Sequence, residues 1–339
     1  MTEDDPGITP APAPRRRRLR ALALATALIA VVGGATYWLY GLWVTRGFTE
    51  YRMPDRTDIP TAVAVAPDGT VWLTIEFADA IGVLRDGRIA KIPKGKQSFE
   101  PLGLAVDAQG AAWYTDGPQR AVARVAPDGA ITTFSLPMPV AKLARLAVAP
   151  DGAVWFAEET AFSLTRLKDG VFTRHEVGGL AVAPFGVAVA RDGTVWGTLP
   201  RTNRLVRLPP GGPPAELDVP TRGSQPGDVA VDPHGTVWFL EMRANKIGRY
   251  AEGRFTEFPI PRPSPGLTAI AVAPDGSVWF TELRASRLGR LRDGVVTEFP
   301  LPRRNARPFG VAVDPAGNVW YTDLTGWLGR LAAERARGR

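Results

Sequence analysis

The sequence has no cysteine and only two histidines, His175 and His234, among its 339 residues. Without cysteine the chain can form no disulfide bond, thiolate metal site or thiol nucleophile. Chemistry that needs an imidazole base or ligand is restricted to those two histidines. His234 replaces the Asp of a predicted turn and His175 lies in a predicted outer strand, so both are expected at the surface, away from any central site.

Long apolar runs are also scarce, and Ala21–Val44 is the one stretch without any charged residue that is long enough to span a bilayer. Its 24 residues would reach roughly 36 Å as a helix, against a hydrocarbon core of about 30 Å. Arg15–Arg20 precedes it and an aromatic cluster, Tyr37 to Trp43, ends it. We therefore expect a single-pass signal anchor in the cell membrane at residues 21–44, with a disordered, cytoplasmic Pro/Arg-rich arm at residues 1–20 and everything after Val44 extracytoplasmic. A cleaved signal peptide is the alternative.

What the chain has in abundance is glycine and proline, 36 and 32 residues, which favours many tight turns over long helices. Seven tryptophans recur at spacings of 41 or 42 residues, each preceded by an apolar residue and most by a turn such as "PDGT". A period near 41 with short alternating strands is typical of propeller blades. The repeat therefore predicts an all-β, seven-bladed β-propeller with these residues in its blades: Trp72, Trp113, Trp155, Trp196, Trp238, Trp279 and Trp320.

The seventh repeat ends after its third strand, "GWLGRL", and the missing strand is found near the start of the chain. "GFTEYRMP" (Gly47–Pro54) matches "RFTEFPIP" (Arg254–Pro261) almost residue for residue. Residues 48–53 are therefore predicted to supply the outer strand of the last blade, which avoids an unpaired edge. The propeller is expected over residues 47–331, followed by a basic C-terminal tail at residues 332–339 that is solvated or faces membrane headgroups.

Residues that recur in every blade are expected to serve the architecture, because a reactive site is normally assembled once. The tryptophans are interpreted as blade-to-blade packing, with a ring of carbohydrate-stacking aromatics as the alternative. An acid recurs three residues after most of them, at Asp116, Glu158, Glu241, Glu282 and Asp323. We expect these acids to pair with the arginines of the third strands, among them Arg249, Arg290 and Arg330; a metal ring is the alternative.

Function is expected among residues that do not recur, on the face where first strands begin and second strands end. Ten residues before the tryptophan most blades have Ala or Gly, but blade three has Arg145 and blade five has Asp228. Charged residues also stand thirteen before and four after the tryptophan in some blades. The predicted ligand-contacting set is Glu76, Glu100, Arg145, Glu159, Asp228 and Arg307, with Phe185 and Phe309 as apolar contacts and Lys142 nearby; an ordinary solvated surface is the alternative.

The repeats "VWFTE", "NKIGR" and "FTEFPIP" resemble the virginiamycin B lyase (streptogramin lyase) family over roughly residues 48–331. The resemblance implies a seven-bladed propeller and a Mg²⁺-assisted elimination that opens cyclic depsipeptide antibiotics at an ester. It also implies a Glu-Pro-His-Gly motif at the start of the last blade, where the Glu helps to bind the metal and the His is the general base. It implies a substrate-contacting His in the preceding blade and a second metal carboxylate four residues after the last tryptophan.

This chain departs from that pattern at each of those positions. Arg307-Pro308-Phe309-Gly310 stands in place of Glu-Pro-His-Gly, Gly266-Leu267-Thr268-Ala269 in place of the preceding blade's motif, and Leu324 in place of the second carboxylate. No blade has a histidine at the equivalent of Phe309. Elimination needs a positioned base, and Mg²⁺ needs oxygen ligands rather than a cationic neighbour. Lyase activity is therefore not expected, and no catalytic residue is assigned.

One remnant of the motif survives at Glu100-Pro101-Leu102-Gly103. Glu76, Glu100 and Glu159 come from adjacent blades and are an alternative, cation-binding set for Mg²⁺ or Ca²⁺; otherwise no cofactor is expected. The favoured function is a membrane-anchored propeller that binds an unknown small-molecule ligand or protein partner on its rim. The alternatives are a metal-dependent lyase or hydrolase acting on a cyclic depsipeptide, ester or lactone, and a purely structural surface protein. Nucleic acid is not an expected partner, since no basic stripe interleaved with aromatics is present.

Overall fold

A computed structural model describes residues 45–97, 99–138, 141–179 and 182–338. The propeller is the compact unit Gly47–Arg339. The predicted arm at residues 1–20 and the predicted membrane segment at residues 21–44 lie outside the described residues. Within the described ranges, no helix has the length and apolar character needed to cross a membrane.

Twenty-eight strands make up seven four-stranded antiparallel sheets in the described residues, and these sheets are the predicted blades. The outer strand of blade seven comes first in the chain, as β1 (Phe48–Arg52). Blade one consists of β2 (Ile59–Val65), β3 (Val71–Glu76), β4 (Ala80–Arg85) and β5 (Arg88–Pro93). Blade two consists of β6 (Leu104–Val106), β7 (Ala112–Asp116), β8 (Ala121–Val125) and β9 (Ile131–Ser135). Blade three consists of β10 (Leu143–Val148), β11 (Val154–Glu158), β12 (Ser163–Lys168) and β13 (Val171–Glu176). A 3₁₀ turn, Glu159–Ala161, follows β11.

Blade four consists of β14 (Val187–Val189), β15 (Val195–Leu199), β16 (Arg204–Leu208) and β17 (Ala215–Asp218). Blade five consists of β18 (Pro226–Val231), β19 (Val237–Glu241), β20 (Lys246–Ala251) and β21 (Arg254–Pro259). Blade six consists of β22 (Leu267–Val272), β23 (Val278–Glu282), β24 (Arg287–Arg292) and β25 (Val295–Pro300). Blade seven has β26 (Pro308–Val313), β27 (Val319–Asp323) and β28 (Trp327–Leu331), and helix α1 (Ala333–Ala336) follows.

The ring closes as the sequence predicts, because β1 pairs antiparallel with β28 and places Phe48 opposite Leu331. Tyr51 stacks on Trp320 with ring centroids 6.1 Å apart. The hydroxyl of Tyr321 donates to Glu50 at 3.0 Å. The strand is thus held by side chains as well as by the sheet, and blade seven has no unpaired outer edge on β28.

The recurrent tryptophans pack one blade against the next, as predicted. Trp72 of blade one is fully buried in a cluster with Tyr114 and Val125 of blade two, and Trp320 of blade seven packs with Val63 and Leu73 of blade one. Glycine in the third strand makes room for the second-strand ring: a Cβ on Gly248 would lie 2.1 Å from Phe239. Apolar burial between blades is therefore the main force that holds the ring together.

A hydrogen bond from a recurrent second-strand threonine to the next blade's first strand adds to this packing. Thr74 donates to the carbonyl of Pro101 at 2.7 Å, and Thr322 closes the circle by donating to Thr61 at 2.5 Å. The chains approach so closely here that a Cβ on Gly310 would lie 2.5 Å from the same Thr61 carbonyl. This contact explains why most blades have glycine or alanine ten residues before the tryptophan.

The predicted pairing between the recurrent acids and the third-strand arginines is wrong. Arg249 lies directly opposite Trp238 in the sheet register, and its guanidinium stacks on that ring at 5.7 Å; blades two, six and seven repeat the arrangement. The acid stands three residues further along the strand, out of reach of that arginine. Three acids pair with other bases instead: Asp116 with Lys94 at 2.6 Å, Glu158 with Arg174 at 2.8 Å, and Asp323 with Arg303 at 2.5 Å.

The C-terminal segment is not a solvated tail over its whole length. Helix α1 packs against blades six and seven, with Ala336 buried among residues that include Trp279 and Val319. Arg290 donates to the carbonyl of Ala336, and Arg337 donates to the carbonyl of Ala316 at 2.6 Å. This contact lies on the face that carries the hairpins between first and second strands, called here the turn face. The opposite face is called the rim.

Candidate functional site

Four charged side chains from blades one to three lie close together on the rim: Glu76, Glu100, Lys142 and Glu159, called here the rim cluster. The Nζ atom of Lys142 lies 3.2 Å from a carboxylate oxygen of Glu159 and 3.8 Å from one of Glu100. Glu76 ends β3 and faces the charge of Glu100. The three carboxylates predicted from separate repeats thus belong to one group, in which Lys142 contacts Glu159 and Glu100, and Glu100 faces Glu76.

The electrostatics of the rim cluster leave it acidic. Partial burial and then the charge of Glu100 raise the pKa of Glu76 above its usual value. The hydrogen bond to Glu159, followed by that residue's charge, raises the pKa of Lys142, so the ammonium form is retained. Three carboxylates against one ammonium give a net negative site on a chain whose overall charge is +7.

An aromatic pair beside the rim cluster was missed by sequence reasoning. Phe77 follows Glu76 and Phe99 precedes Glu100, and the two rings meet edge to face with centroids 5.5 Å apart. Phe77 is 49% exposed and Phe99 is 53% exposed, which makes them the only exposed large aromatic residues in the described part of the chain. The available signal was that both positions flank predicted site acids and have no Phe in other blades.

Arg145 and Asp228 lie in the central channel rather than on the open rim. Arg145 Nη2 is 3.4 Å from Asp228 Oδ2, and the guanidinium also donates to the carbonyls of Leu102 and Thr268 at 2.9 and 3.1 Å. It lies 6.0 Å from the ring of Phe185. These contacts join blades two, three, five and six around a cavity of about 140 Å³. Both charged side chains have structural partners, and we assign them to the scaffold.

The start of blade seven presents the residues that replace the resembled family's motif. The side chain of Arg307 is exposed and that of Phe309 half-buried. The carboxylate of Asp323 accepts from the backbone N–H of Arg307 at 3.0 Å and pairs with Arg303 at 2.5 Å, so it is turned away from this position. An arginine, a phenyl ring and Leu324 supply no oxygen ligand for Mg²⁺. The residues present here do not fit the metal of the resembled family.

Other metal and base chemistry finds no support in the described ranges either. No group of three or more His, Asp or Glu side chains there is spaced to hold a metal ion, and this includes Glu76, Glu100 and Glu159. His175, in the outer strand, contacts Trp155 at a tilt of 36° with ring centroids 5.2 Å apart, and His234 lies in an exposed turn. Neither imidazole faces the rim.

The sequence of this chain is similar to that of known proteins of one family. The sequence profile of the Virginiamycin B lyase family matches residues 42–200 and 113–336. Virginiamycin B lyase of Nocardia farcinica is 36% identical over 204 residues, which cover 60% of this chain and 70% of that protein. The chain belongs to the virginiamycin B lyase family.

Two solved structures of the family share the architecture. A catalytically inactive histidine-to-alanine variant of virginiamycin B lyase from Staphylococcus aureus, solved with quinupristin, has a TM-score of 0.79 and 27% identity, covering 84% of this chain and 98% of that one. A streptogramin B lyase structure has a TM-score of 0.79 and 26% identity, covering 84% and 96%. The fold is therefore that of the virginiamycin B lyases, while the start of blade seven differs from the motif expected of them.

Proposed function

We propose that this member of the virginiamycin B lyase family is a membrane-anchored, extracytoplasmic binding protein that holds a ligand on its rim and has no lyase activity. The observation that carries the proposal is the start of blade seven, where Arg307 and Phe309 take the positions of a metal-binding Glu and a basic His. A cation beside Arg307 is repelled, and a phenyl ring accepts no proton.

The family comparison supports the loss of elimination. Replacing a histidine by alanine gave a catalytically inactive virginiamycin B lyase in Staphylococcus aureus. This chain has two histidines in all, and both lie away from the rim. With neither base nor metal ligands assembled, ring-opening elimination has no group to take the proton and none to hold Mg²⁺.

The chemistry of the rim favours a ligand with a positive charge next to an apolar group. The rim cluster is net negative, and the exposed Phe77–Phe99 pair adjoins it. Phenyl faces and carboxylates both attract a cation, and the rings also bury apolar surface. Exposed Arg307 and half-buried Phe309 precede Gly310, which lines the channel cavity. The ring of half-buried Phe185 lies 6.0 Å from the guanidinium of Arg145.

The anchoring part of the proposal depends on the sequence of residues 1–44. An uncharged stretch of sufficient length, preceded by arginines and ended by aromatics, is typical of a signal anchor. In the sequence it precedes β1, so it would tether the propeller to the membrane.

The first experiment assays lyase activity of the purified chain with quinupristin and excess Mg²⁺, with a virginiamycin B lyase as positive control. Retention time on reversed-phase chromatography is followed, because an elimination that opens the ring leaves the mass unchanged. We expect no conversion. Conversion that EDTA abolishes would overturn the proposal and favour a metal-dependent enzyme whose site has moved to another blade.

The second experiment tests binding at the rim with benzyltrimethylammonium, which combines a quaternary cation with a phenyl ring. Calorimetric titration of the wild-type chain should give saturable binding, weakened about fivefold by Phe77→Ser and by Glu100→Gln. Benzoate, which has the same ring and the opposite charge, should not compete. Equal binding by wild type and both variants, or competition by benzoate, would remove the support for a cation-selective rim.

A further inference from the structure

A second recess lies on the turn face, between blades three and four, away from the rim. It is a cleft of about 660 Å³, floored by Trp155 and His175 and walled by the hairpin between β16 and β17. This volume is within the range of small-molecule sites. The lining differs from the equivalent place in other blades at the hairpin wall, His175 and Arg191, and the indole N–H of Trp155 adds a donor.

The hairpin wall is the first difference. In blades one, three, five and six the third and fourth strands are joined by two residues, whereas blade four uses six, "PPGGPP", at residues 209–214. Pro209 and Pro210 face the cleft. Prolines hold a fixed backbone shape, so this wall is preformed rather than assembled on binding.

His175 is the second difference. It is the fourth-strand residue opposite Leu164. The residues at the same register in the other blades are aliphatic or have a six-membered aromatic ring: Ile92, Phe134, Leu217, Phe258, Phe299 and Tyr51. Burial, followed by the charge of Arg166, lowers the pKa of His175, so at neutral pH it presents a neutral imidazole. A flat, polar ring thus replaces an aliphatic, phenyl or phenol packing residue.

Arg191 is the third difference. It stands five residues before Trp196, where five other blades have proline and blade two has Ala108. The side chain is exposed at the mouth of the cleft, and no described acid lies within ion-pair distance of it. The two nearby carboxylates are already engaged. Asp151 pairs with Arg166 at 3.0 Å and Lys168 at 2.8 Å, and Asp192 accepts from the backbone N–H and hydroxyl of Thr194.

Ala149 leaves the indole donor of Trp155 unused. In blades two, five and seven an aspartate six residues before the tryptophan accepts its indole N–H, for example Asp107 from Trp113 at 3.0 Å. Blade three has Ala149 at that position, and blades one, four and six also have alanine there, Ala66, Ala190 and Ala273. Within residues 45–338, gaps aside, the structure shows no acceptor for Nε1 of Trp155. The cleft therefore has spare hydrogen-bond donors in the guanidinium of Arg191 and the indole N–H of Trp155.

The chain itself shows how the equivalent recess between blades six and seven binds a group. There, helix α1 covers Trp279, and Arg290 donates to the carbonyl oxygen of Ala336. Arg166 has the same register in blade three, opposite Trp155, that Arg290 has opposite Trp279. An acceptor oxygen over the tryptophan is thus the arrangement that this fold already uses.

From these observations we infer that the cleft between blades three and four binds a small organic acid consisting of a flat apolar ring and a carboxylate. The ring packs against Trp155, His175 and the proline wall, and the carboxylate accepts from Arg191 and the indole N–H. The site is independent of the rim and of the function proposed for it.

The test is calorimetric titration of the full-length chain with 2-naphthoate, and with 2-naphthylmethylammonium as the probe of opposite charge. Two substitutions introduce residues that other blades carry at the same positions, Arg191→Pro and Ala149→Asp, so the fold should tolerate both. Arg88→Ala, an exposed arginine on the turn face of blade one, is the matched control.

We expect the wild type and Arg88→Ala to bind 2-naphthoate saturably. Arg191→Pro should bind it at least fivefold more weakly. Ala149→Asp should bind it more weakly still, because the new carboxylate occupies the indole donor and repels the ligand's charge. Unfolding temperatures near that of the wild type establish that the variants are folded. No binding at millimolar 2-naphthoate, equal affinity in all variants, or equal affinity for the ammonium probe would overturn the inference.

Discussion

Arg145 of blade three and Asp228 of blade five form an ion pair inside the central channel, with 3.4 Å between Nη2 and Oδ2. Side chains of both are nearly buried, at 10% and 12% exposure. Burial raises the pKa of Asp228, while Arg145 and the backbone N–H groups of Ile270 and Val229 pull it down. In these two blades Ala157 and Leu240 replace the threonine that links neighbouring blades elsewhere, so the ion pair takes the place of missing links.

Breaking this pair from one side is expected to destabilise the propeller. Arg145→Met preserves most of the volume but leaves Asp228 buried without its counter-ion, which costs about 3–5 kcal/mol in typical cases. Urea unfolding at pH 8 measures the loss. The double variant Arg145→Met/Asp228→Ala, with the small residue that other blades have, should recover most of it. A single variant as stable as the wild type, or a double variant no better than the single, would contradict this assignment.

A second prediction concerns Glu282, whose two carboxylate oxygens are buried without a hydrogen-bond partner in the described part of the chain. Burial and then the charge of Glu298 raise its pKa from 4.5 to about 7, against the opposing pull of Arg287 and Arg262. A raised pKa in the folded state means that the contribution to stability is complete below about pH 4.5 and is lost as the pH rises through about 7.

Glu282→Gln should therefore be more stable than the wild type at pH 8, by about 1–3 kcal/mol, and close to it at pH 5. Urea midpoints at the two pH values measure this. Glu298→Gln is the control at pH 5, where Glu282 is protonated: that carboxylate pairs with Arg262 at 3.1 Å and Arg287 at 3.6 Å, so its loss should destabilise the protein there. The same gain at pH 5 and pH 8 would show that the charge of Glu282 is not the cause.

The ring architecture could be predicted from sequence almost completely, because each blade is specified by a local repeat. Trp320 and the turn before it predict blade seven, and the sequence similarity of residues 47–54 to residues 254–261 identifies the missing fourth strand of that blade. Partners that lie in different blades could not be predicted, since their contact depends on the curvature of the ring. Arg145 and Asp228 stood out as exceptions, but nothing in the sequence showed that each is the other's partner.

The residues of the candidate sites also differ in whether the repeat made them predictable. The rim acids were found because they break the repeat at positions counted from the tryptophan. Phe77 and Phe99 were missed because they lie in connections, where the repeat sets no expectation. His175 was interpreted as a surface residue, yet it is the one imidazole at a register whose other members are aliphatic, phenyl or phenol side chains. That register could be identified only after the strands were paired.

A third prediction tests the closure of blade seven by β1. A chain beginning at Pro54 lacks the strand and with it the Tyr51–Trp320 stack and the pairing of Glu50 with Arg303 at 3.1 Å. We expect an unfolding temperature lower by on the order of 10 °C than that of a chain beginning at Thr45. The exposed β28 edge should also cause self-association, seen by size-exclusion chromatography. Equal stability of two monomeric chains would mean that β1 is dispensable.

The last prediction separates cation binding from charge pairing in the rim cluster. Lys142 lies between Glu159 and Glu100 and so takes the position that a divalent cation would need, and no described trio of acids is spaced for a metal. Mg²⁺ and Ca²⁺ should therefore leave the unfolding temperature of the wild type unchanged. Lys142→Met removes the counter-charge and the side chain that hold the carboxylates apart, so the carboxylates can move together around a cation and millimolar Ca²⁺ should now stabilise the protein. Adding Glu100→Gln to that variant should cancel the gain. If Ca²⁺ stabilises the wild type and Glu100→Gln alone abolishes the effect, the cluster is a metal site that tolerates Lys142, and the metal-dependent alternative for this propeller regains support.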